Sequence, residues 1–282
     1  RMVEPDARII VCFDYGFDII GQYFTNLARV KQVMDRADII FSVNRNQAEW
    51  MRLLFPKREI HYIPHPSNIE QAMRFRRKPE DRKMGIGAMW HQYDNYQIQT
   101  LEVIRAVERK LDRSLVKTIL GAKGRLLAEM GMTIPASEAP MVSEGPDAGK
   151  YLDPYTEKYV QFVPPGIGWD RILPYMGVGP WYEFLGQFKV CLDLYTVNSI
   201  GRFGIDAACV GVPTVASKKS DSSHVLWPMT TVDPEEPWGA VQQLTKLLKD
   251  PAYYTRVENA SLKGLSHYSF AKSKERMMAV LK

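Results

Sequence analysis

Short apolar runs alternate with amphipathic stretches along most of this chain, and that alternation restricts its fold more than any other feature. Residues 8–13 read as a strand, 22–36 as a helix, 37–43 as a strand, 47–55 as a helix and 59–63 as a strand. After a polar, basic stretch at 67–83 the rhythm resumes, with a strand at 84–90, a helix at 97–111, a strand at 116–120 and a short helix at 123–130. Residues 133–150 carry Pro, Gly, Ser and acidic residues without periodicity, and read as a loop. A strand at 159–163 leads through a Pro/Gly-rich crossing at 164–180 to a helix at 181–188 and a strand at 190–195. A helix at 201–210, strands at 214–217 and 229–232, and helices at 238–249, 252–265 and 271–281 close the chain. Strands alternating with helices of this length predict an α/β fold, with a parallel sheet covered on both faces.

A chain of 282 residues can bury a core without covalent staples. Its three cysteines stand far apart and two lie within apolar runs, the pattern of reduced buried thiols. Cys and His do not cluster at ligand spacing, so no metal is expected. The apolar runs are strand-length rather than membrane-length, and a cytoplasmic location is expected, with peripheral attachment to a membrane as the variant. A net charge of +5 suits an anionic substrate or an acidic surface. The run Arg74-Phe75-Arg76-Arg77-Lys78 either faces phosphate or is a solvated interdomain segment, and the solvated reading is preferred.

The chemistry concentrates in residues 190–217, VCLDLYTVNSIGRFGIDAACVGVPTVAS. A buried strand ends at Thr196-Val197-Asn198-Ser199, a glycine-bearing turn Gly201-Arg202-Phe203-Gly204 follows, and a helix begins. Glycine lets backbone approach a ligand closely, and the amides and positive dipole end of a helix favour phosphate. In open α/β sheets ligands sit beyond the carboxyl ends of the strands, where this turn falls. Asp206 would then offer a carboxylate to ribose hydroxyls. The plainer readings are a helix-start turn for the glycines, a cap for Asn198 and an ordinary helical residue for Asp206.

This segment resembles the donor-binding domain of retaining nucleotide-sugar glycosyltransferases of the GT-B architecture. In that family a Glu, a Gly-Phe-Gly-like turn and a second Glu eight positions later are followed by an Ala-rich helix and a Gly-x-Pro-x-Val-Ala strand. Here Asn198 and Asp206 stand eight positions apart, and Gly211-Val212-Pro213-Thr214-Val215-Ala216 matches the strand. The resemblance extends to residues 37–43 and 60–66 and to the closing helices, but only 198–216 is specific. It implies two facing Rossmann-like domains: a short acceptor-side domain at 1–68, a crossing at 69–83, a donor-binding domain at 84–265, and a terminal helix at 266–282 packing back on the first. It implies sugar transfer from a nucleoside diphosphate sugar to a hydroxyl acceptor (glycan, lipid-linked or other) with retention and with no cofactor. Asn198 would meet the transferred sugar, Ser199, Ile200, Gly201, Arg202, Phe203 and Gly204 the diphosphate, and Asp206 the ribose.

The chain departs from that pattern where it matters for charge. Asn198 replaces a Glu, and an amide cannot stabilise developing positive charge. The family's Arg/Lys pair after the domain's first strand is replaced by Trp90-His91-Gln92-Tyr93-Asp94-Asn95. Arg202 or Lys123 would have to compensate, with His91 and Trp90 lining the donor. Asp14 would orient the acceptor hydroxyl, or simply form a turn. His61 and His65 read as structural, and Trp169, Tyr175, Trp181 and Tyr182 as either stacking platforms or packing. Two other readings stay open: a binding or scaffold protein that kept the fold without the chemistry, and a nucleic-acid-modifying glycosyltransferase.

Overall fold

In the computed structural model, residues 8–13, 27–82, 84–89, 96–122, 169–174 and 177–281 are described. They form two parallel sheets. The first has the order β1-β2-β3, from β1 (Ile10–Phe13), β2 (Ile39–Ser42) and β3 (Glu59–Tyr62). Helices α1 (Leu27–Arg36) and α2 (Arg45–Leu54) make the two crossovers. Met34, Ala48 and Met51 from these helices bury Ile40 and Ile60 on one face.

The second sheet has six parallel strands: β4 (Met84–Met89), β5 (Lys117–Ala122), β6 (Arg171–Pro174), β7 (Phe188–Asp193), β8 (Thr214–Ser217) and β9 (Thr231–Val232). Their order is β6-β5-β4-β7-β8-β9, so the chain builds outward on one side of β4 and then returns to build on the other. That reversal between β4 and β7 is the topological switch point, where α/β sheets open a crevice at the strand carboxyl ends. Strand β7 is an almost continuous apolar run, as a strand covered on both faces must be. The helices of this lobe are α4 (Tyr96–Leu111), α5 (Val178–Leu185), α6 (Arg202–Cys209), α7 (Ser223–Leu226), α8 (Pro237–Lys249) and α9 (Pro251–Gly264). The architecture is α/β with parallel sheets, as the alternation of runs predicts, arranged in the two Rossmann-like units that the family resemblance implies.

Among the described residues no helix is long and apolar enough to cross a membrane. Cys191 and Cys209 are buried free thiols, and burial pushes Cys209 up to about 12; Cys12 is exposed. The expected short helix at 123–130, the loop at 133–150 and the strand at 159–163 lie outside the described residues.

The stretch between the lobes is not purely solvated. A short helix, α3 (Ile69–Met73), occupies part of it, with Asn68 capping the Gln71 amide. Arg82 is fully buried: its guanidinium donates to Tyr254 Oη at 2.5 Å, to the Arg77 carbonyl at 2.7 Å and to Glu258 Oε1 at 3.0 Å. Arg76 meets the same Glu258 oxygen at 3.0 Å, so one acid on α9 holds two arginines of the crossing. Within the basic run Arg74, Arg76 and Lys78 are exposed, in keeping with the solvated reading, and Arg76 adds an ion pair with Glu258.

The last helix, α10 (Phe270–Leu281), leaves the second lobe and returns to the first. Its Val280 and Leu281 pack on Ile39, Phe41 and Ile63, the face of the small sheet that α1 and α2 leave uncovered. Ser273 Oγ donates to the Pro64 carbonyl at 3.2 Å, and the Ser67 amide to Tyr268 O at 2.8 Å.

Glu258→Gln should destabilise the protein by about 3–5 kcal/mol in urea unfolding, because it strands a buried guanidinium without its counter-charge. The double variant Arg82→Met/Glu258→Leu should recover most of that loss, since apolar packing replaces a buried pair at little cost.

Candidate functional site

Strand β7 ends at Asp193 and the chain runs through residues 194–200 before Gly201 turns it into α6. Gly201 has φ +71°, the left-handed region, and a Cβ there would stand 2.2 Å from Ser222 Oγ. Only glycine fits both demands.

The turn is clamped by the loop after β8. Ser199 and Ser220 form a parallel bridge, with the Ser199 amide donating to Lys219 O at 3.1 Å and the Asp221 amide to Ser199 O at 2.9 Å. The Ser222 amide donates to Ile200 O at 3.2 Å, and Ser222 Oγ to Gly201 O at 2.8 Å. Ser217, Ser220, Ser222 and Ser223 are all fully buried; the hydroxyls of Ser217, Ser222 and Ser223 serve backbone, and that of Ser220 pairs with the Ser199 hydroxyl. The first-turn amides of α6 have no acceptors of their own within the helix.

Across the seam between the lobes stand residues at the carboxyl ends of β2 and β3. Asn44 caps α2 by accepting from the Gln47 amide, and its Nδ2 donates to Ser199 O at 2.9 Å. The Arg45 amide donates to Asp221 Oδ1 at 3.2 Å, and Tyr62 Oη to Asp221 Oδ2 at 2.5 Å. Asn46 Nδ2 reaches Asn198 Oδ1 at 3.4 Å. Burial pushes the Asp221 carboxyl upward, against the Tyr62 and Arg45 contacts that favour its charge. Burial also raises the Tyr62 phenol, and the adjacent Asp221 charge adds to the effect.

Asp206 differs most from expectation. It is 5% exposed, and both of its oxygens already serve protein donors. Oδ1 accepts from Tyr182 Oη at 2.9 Å and from Arg202 Nε at 2.9 Å, and Oδ2 accepts from Trp181 Nε1 at 3.0 Å. Burial pushes its carboxyl up, opposed by Arg202, Tyr182 and Trp181. The expectation of an open ribose-gripping carboxylate is therefore corrected. One turn into α6, the side chain points at α5 rather than the seam. Trp181 and Tyr182 read correspondingly as anchors, and Trp169 is core.

Arg202 does lie at the seam. Its side chain is 43% exposed, and Nη1 sits 3.1 Å from His65 Nδ1 of the other lobe. His65 thus joins the site rather than standing apart as a structural residue, whereas His61 contacts Glu59 and the Phe41 ring. Asn198, Ser199, Ile200, Gly201, Phe203 and Gly204 gather in the same turn and helix start. Asp14, Trp90, His91 and Lys123 lie outside the described residues. Sequence reading missed Asn44, Tyr62 and Asp221. The signal for the last was the hydroxyl-rich run Ser220-Asp221-Ser222-Ser223 directly after the Gly-x-Pro strand.

Beside Tyr62 lies His267, whose Nε2 is buried with no hydrogen-bond partner among the described residues while Nδ1 faces Arg276 at 3.0 Å. Burial, with Arg276 and Arg45 adding to it, pushes its pKa down to about 4.

No protein-family model matches the chain, and no curated protein is recognisably similar to it in sequence. Solved structures do match in fold. A UDP-forming alpha,alpha-trehalose-phosphate synthase from Burkholderia xenovorans superposes with TM-score 0.68 at 12% identity, over 98% of this chain and 68% of that one. Sucrose-phosphate synthase from Thermosynechococcus elongatus gives 0.63 at 12%, over 96% and 66%. An alpha-glucosyltransferase in complex with UDP and a 13-mer DNA containing an HMU base gives 0.62 at 14%, over 100% and 74%. The chain spans about two thirds to three quarters of the length of these structures, and shares their GT-B fold.

Gly201→Ala should lower stability by more than about 1 kcal/mol from the left-handed backbone alone. Gly201→Ala/Ser222→Ala should regain the part due to the side-chain collision, a coupling that a double-mutant cycle in denaturant reads directly. For His267 the sign follows from the lowered pKa. The unfolded imidazole takes a proton below its ordinary 6.5, and the folded one resists until about 4. Stability should fall as pH drops from about 6.5 to 4, and His267→Gln should flatten that limb of the profile.

Proposed function

We propose that this chain transfers a sugar from a nucleoside diphosphate sugar to a hydroxyl acceptor, with retention at the anomeric carbon. The observation that carries this reading is the turn at residues 198–204. It sits at the switch point of a six-stranded parallel sheet, it starts a helix, and it faces a second lobe across a seam. The fold likeness to trehalose-phosphate and sucrose-phosphate synthases supports it, as does the match of residues 198–216 to the family's donor-binding segment.

In this reading the α6 amides and the Ser199–Gly204 backbone meet the diphosphate, where fixed N–H dipoles stabilise charge that grows as the leaving group departs. The bond from the anomeric carbon to the diphosphate breaks, a bond to the acceptor oxygen forms, and the acceptor's proton leaves with the departing diphosphate. Asn198, at the seam, meets a hydroxyl of the transferred sugar. Its amide can donate and accept but carries no charge. The acceptor enters from the side of the smaller lobe, where Asn46 already reaches Asn198.

A panel of nucleoside diphosphate sugars, assayed for transfer and for slow hydrolysis, tests the reading. One donor should turn over. Asn198→Ala should lower kcat about tenfold or more while nucleoside diphosphate affinity changes less than about twofold, the mark of a contact to the reacting sugar alone. Calorimetry showing no binding of any nucleoside diphosphate would sink the donor assignment and leave a fold-retaining binding protein.

A further inference from the structure

The pairing of Arg202 with a buried acid carries an inference that rests on the donor-site reading above and deepens it. We propose that Arg202 is the cation for the donor's diphosphate, and that Asp206 is the positioning residue that holds it rather than a ligand of the ribose.

Three observations converge. Asp206 is engaged and enclosed: two donors meet Oδ1, one meets Oδ2, and almost none of its surface reaches solvent. A ribose hydroxyl could reach it only by displacing side chains packed around it. Second, Arg202 is gripped along one edge. Nε is spent on Asp206, Nη2 lies 3.4 Å from Tyr182 Oη, and Nη1 faces His65. A guanidinium has five N–H groups, so two terminal N–H bonds remain on a head that is partly exposed at the seam. Third, this cation sits on the first residue of α6, the end of a helix that repels positive charge, and four residues ahead of its acid, the weaker order for a helical pair. Nothing in helix electrostatics favours that placement by itself. An anion arriving at the mouth reverses the sign, because guanidinium and amides then act on the same charge.

The His65 contact is the natural one to yield. Its Nδ1 lies 3.1 Å from Arg202 Nη1 and 2.9 Å from the Pro66 carbonyl, and one nitrogen cannot accept from the first and donate to the second at once. The arginine's hold on Asp206 has no such competitor, since both Trp181 and Tyr182 reinforce it from α5.

The test uses the full chain and calorimetry with UDP, GDP and ADP, followed by the best-bound diphosphate, its parent nucleoside and inorganic pyrophosphate. Arg202→Gln should weaken the diphosphate and pyrophosphate about tenfold or more, the usual scale for a hydrogen bond to a charged group, while the nucleoside binds within about twofold of the parent chain. Asp206→Asn should show the same pattern, and the double variant should be no worse than Arg202→Gln alone. Two results overturn the role: diphosphate affinity unchanged in Arg202→Gln, or an Asp206→Asn variant that loses nucleoside and diphosphate equally, as a ribose ligand would. Should Asp206→Asn fail to fold, the partly exposed Arg202→Gln decides with pyrophosphate. A parent chain that binds none of the three diphosphates refutes the donor-site reading itself and this role with it.

Discussion

The hydrogen-bonded clamp between the turn at 199–201 and the loop at 219–222 is the constraint on which the rest of the site depends. It fixes a left-handed glycine, and the glycine fixes the direction in which α6 leaves the sheet. Strand-to-helix turns of this kind gain their shape from tertiary contacts, since four residues cannot specify their own backbone. Here the contacts are backbone amides and serine hydroxyls, each contributing about 1 kcal/mol net but together defining one geometry. Bulkier side chains at Ser220 or Ser222 would push the two segments apart. Small hydroxyls serve where both close approach and a donor are needed.

Three buried acids organise the larger lobe, each tying together elements distant in sequence. Glu258 joins α9 to the crossing through Arg76 and Arg82. Asp206 joins α6 to α5 through Trp181 and Tyr182. Asp221 joins the clamp loop to the smaller lobe through Tyr62 and the Arg45 amide. A buried carboxylate is tolerable only when donors offset its lost hydration, and each of the three has two or three of them. The consequence is directional as well as energetic. An acid that needs three particular partners accepts only one relative placement of the segments that bring them.

The periodicity made the architecture legible. The helix read at 97–111 is Tyr96–Leu111, that at 201–210 is Arg202–Cys209, and the strand at 190–195 lies within a run whose strand is Phe188–Asp193. Local chemistry was harder to read. The helix read from residue 47 begins at Arg45, because Asn44 caps it. The five-residue helix Ile69–Met73 is too short to show a period and vanished into a polar stretch. For the site, spacing revealed that residue 206 belongs to the turn's helix, but not which way it points. That is decided by Trp181 and Tyr182, some 25 positions earlier in the chain, and no helical pattern encodes a partner across such a gap. Arg82 was illegible for the same reason: it lies in a basic stretch, and two of the partners that hold it buried, Tyr254 and Glu258, stand 172 and 176 positions on.

The two lobes meet through unlike interfaces, and the difference bears on how the seam behaves. Where α10 crosses, Val280 and Leu281 seal an apolar face that would otherwise be wet, so separating them exposes hydrocarbon from Ile39, Phe41 and Ile63. At the turn, the contacts are a few hydrogen bonds, from Asn44, Arg45, Asn46 and Tyr62, to groups that water can satisfy almost as well. Breaking those exchanges one set of hydrogen bonds for another, and the net difference is about 1 kcal/mol apiece. The α10 contact is thus the stronger tie and the turn the weaker one.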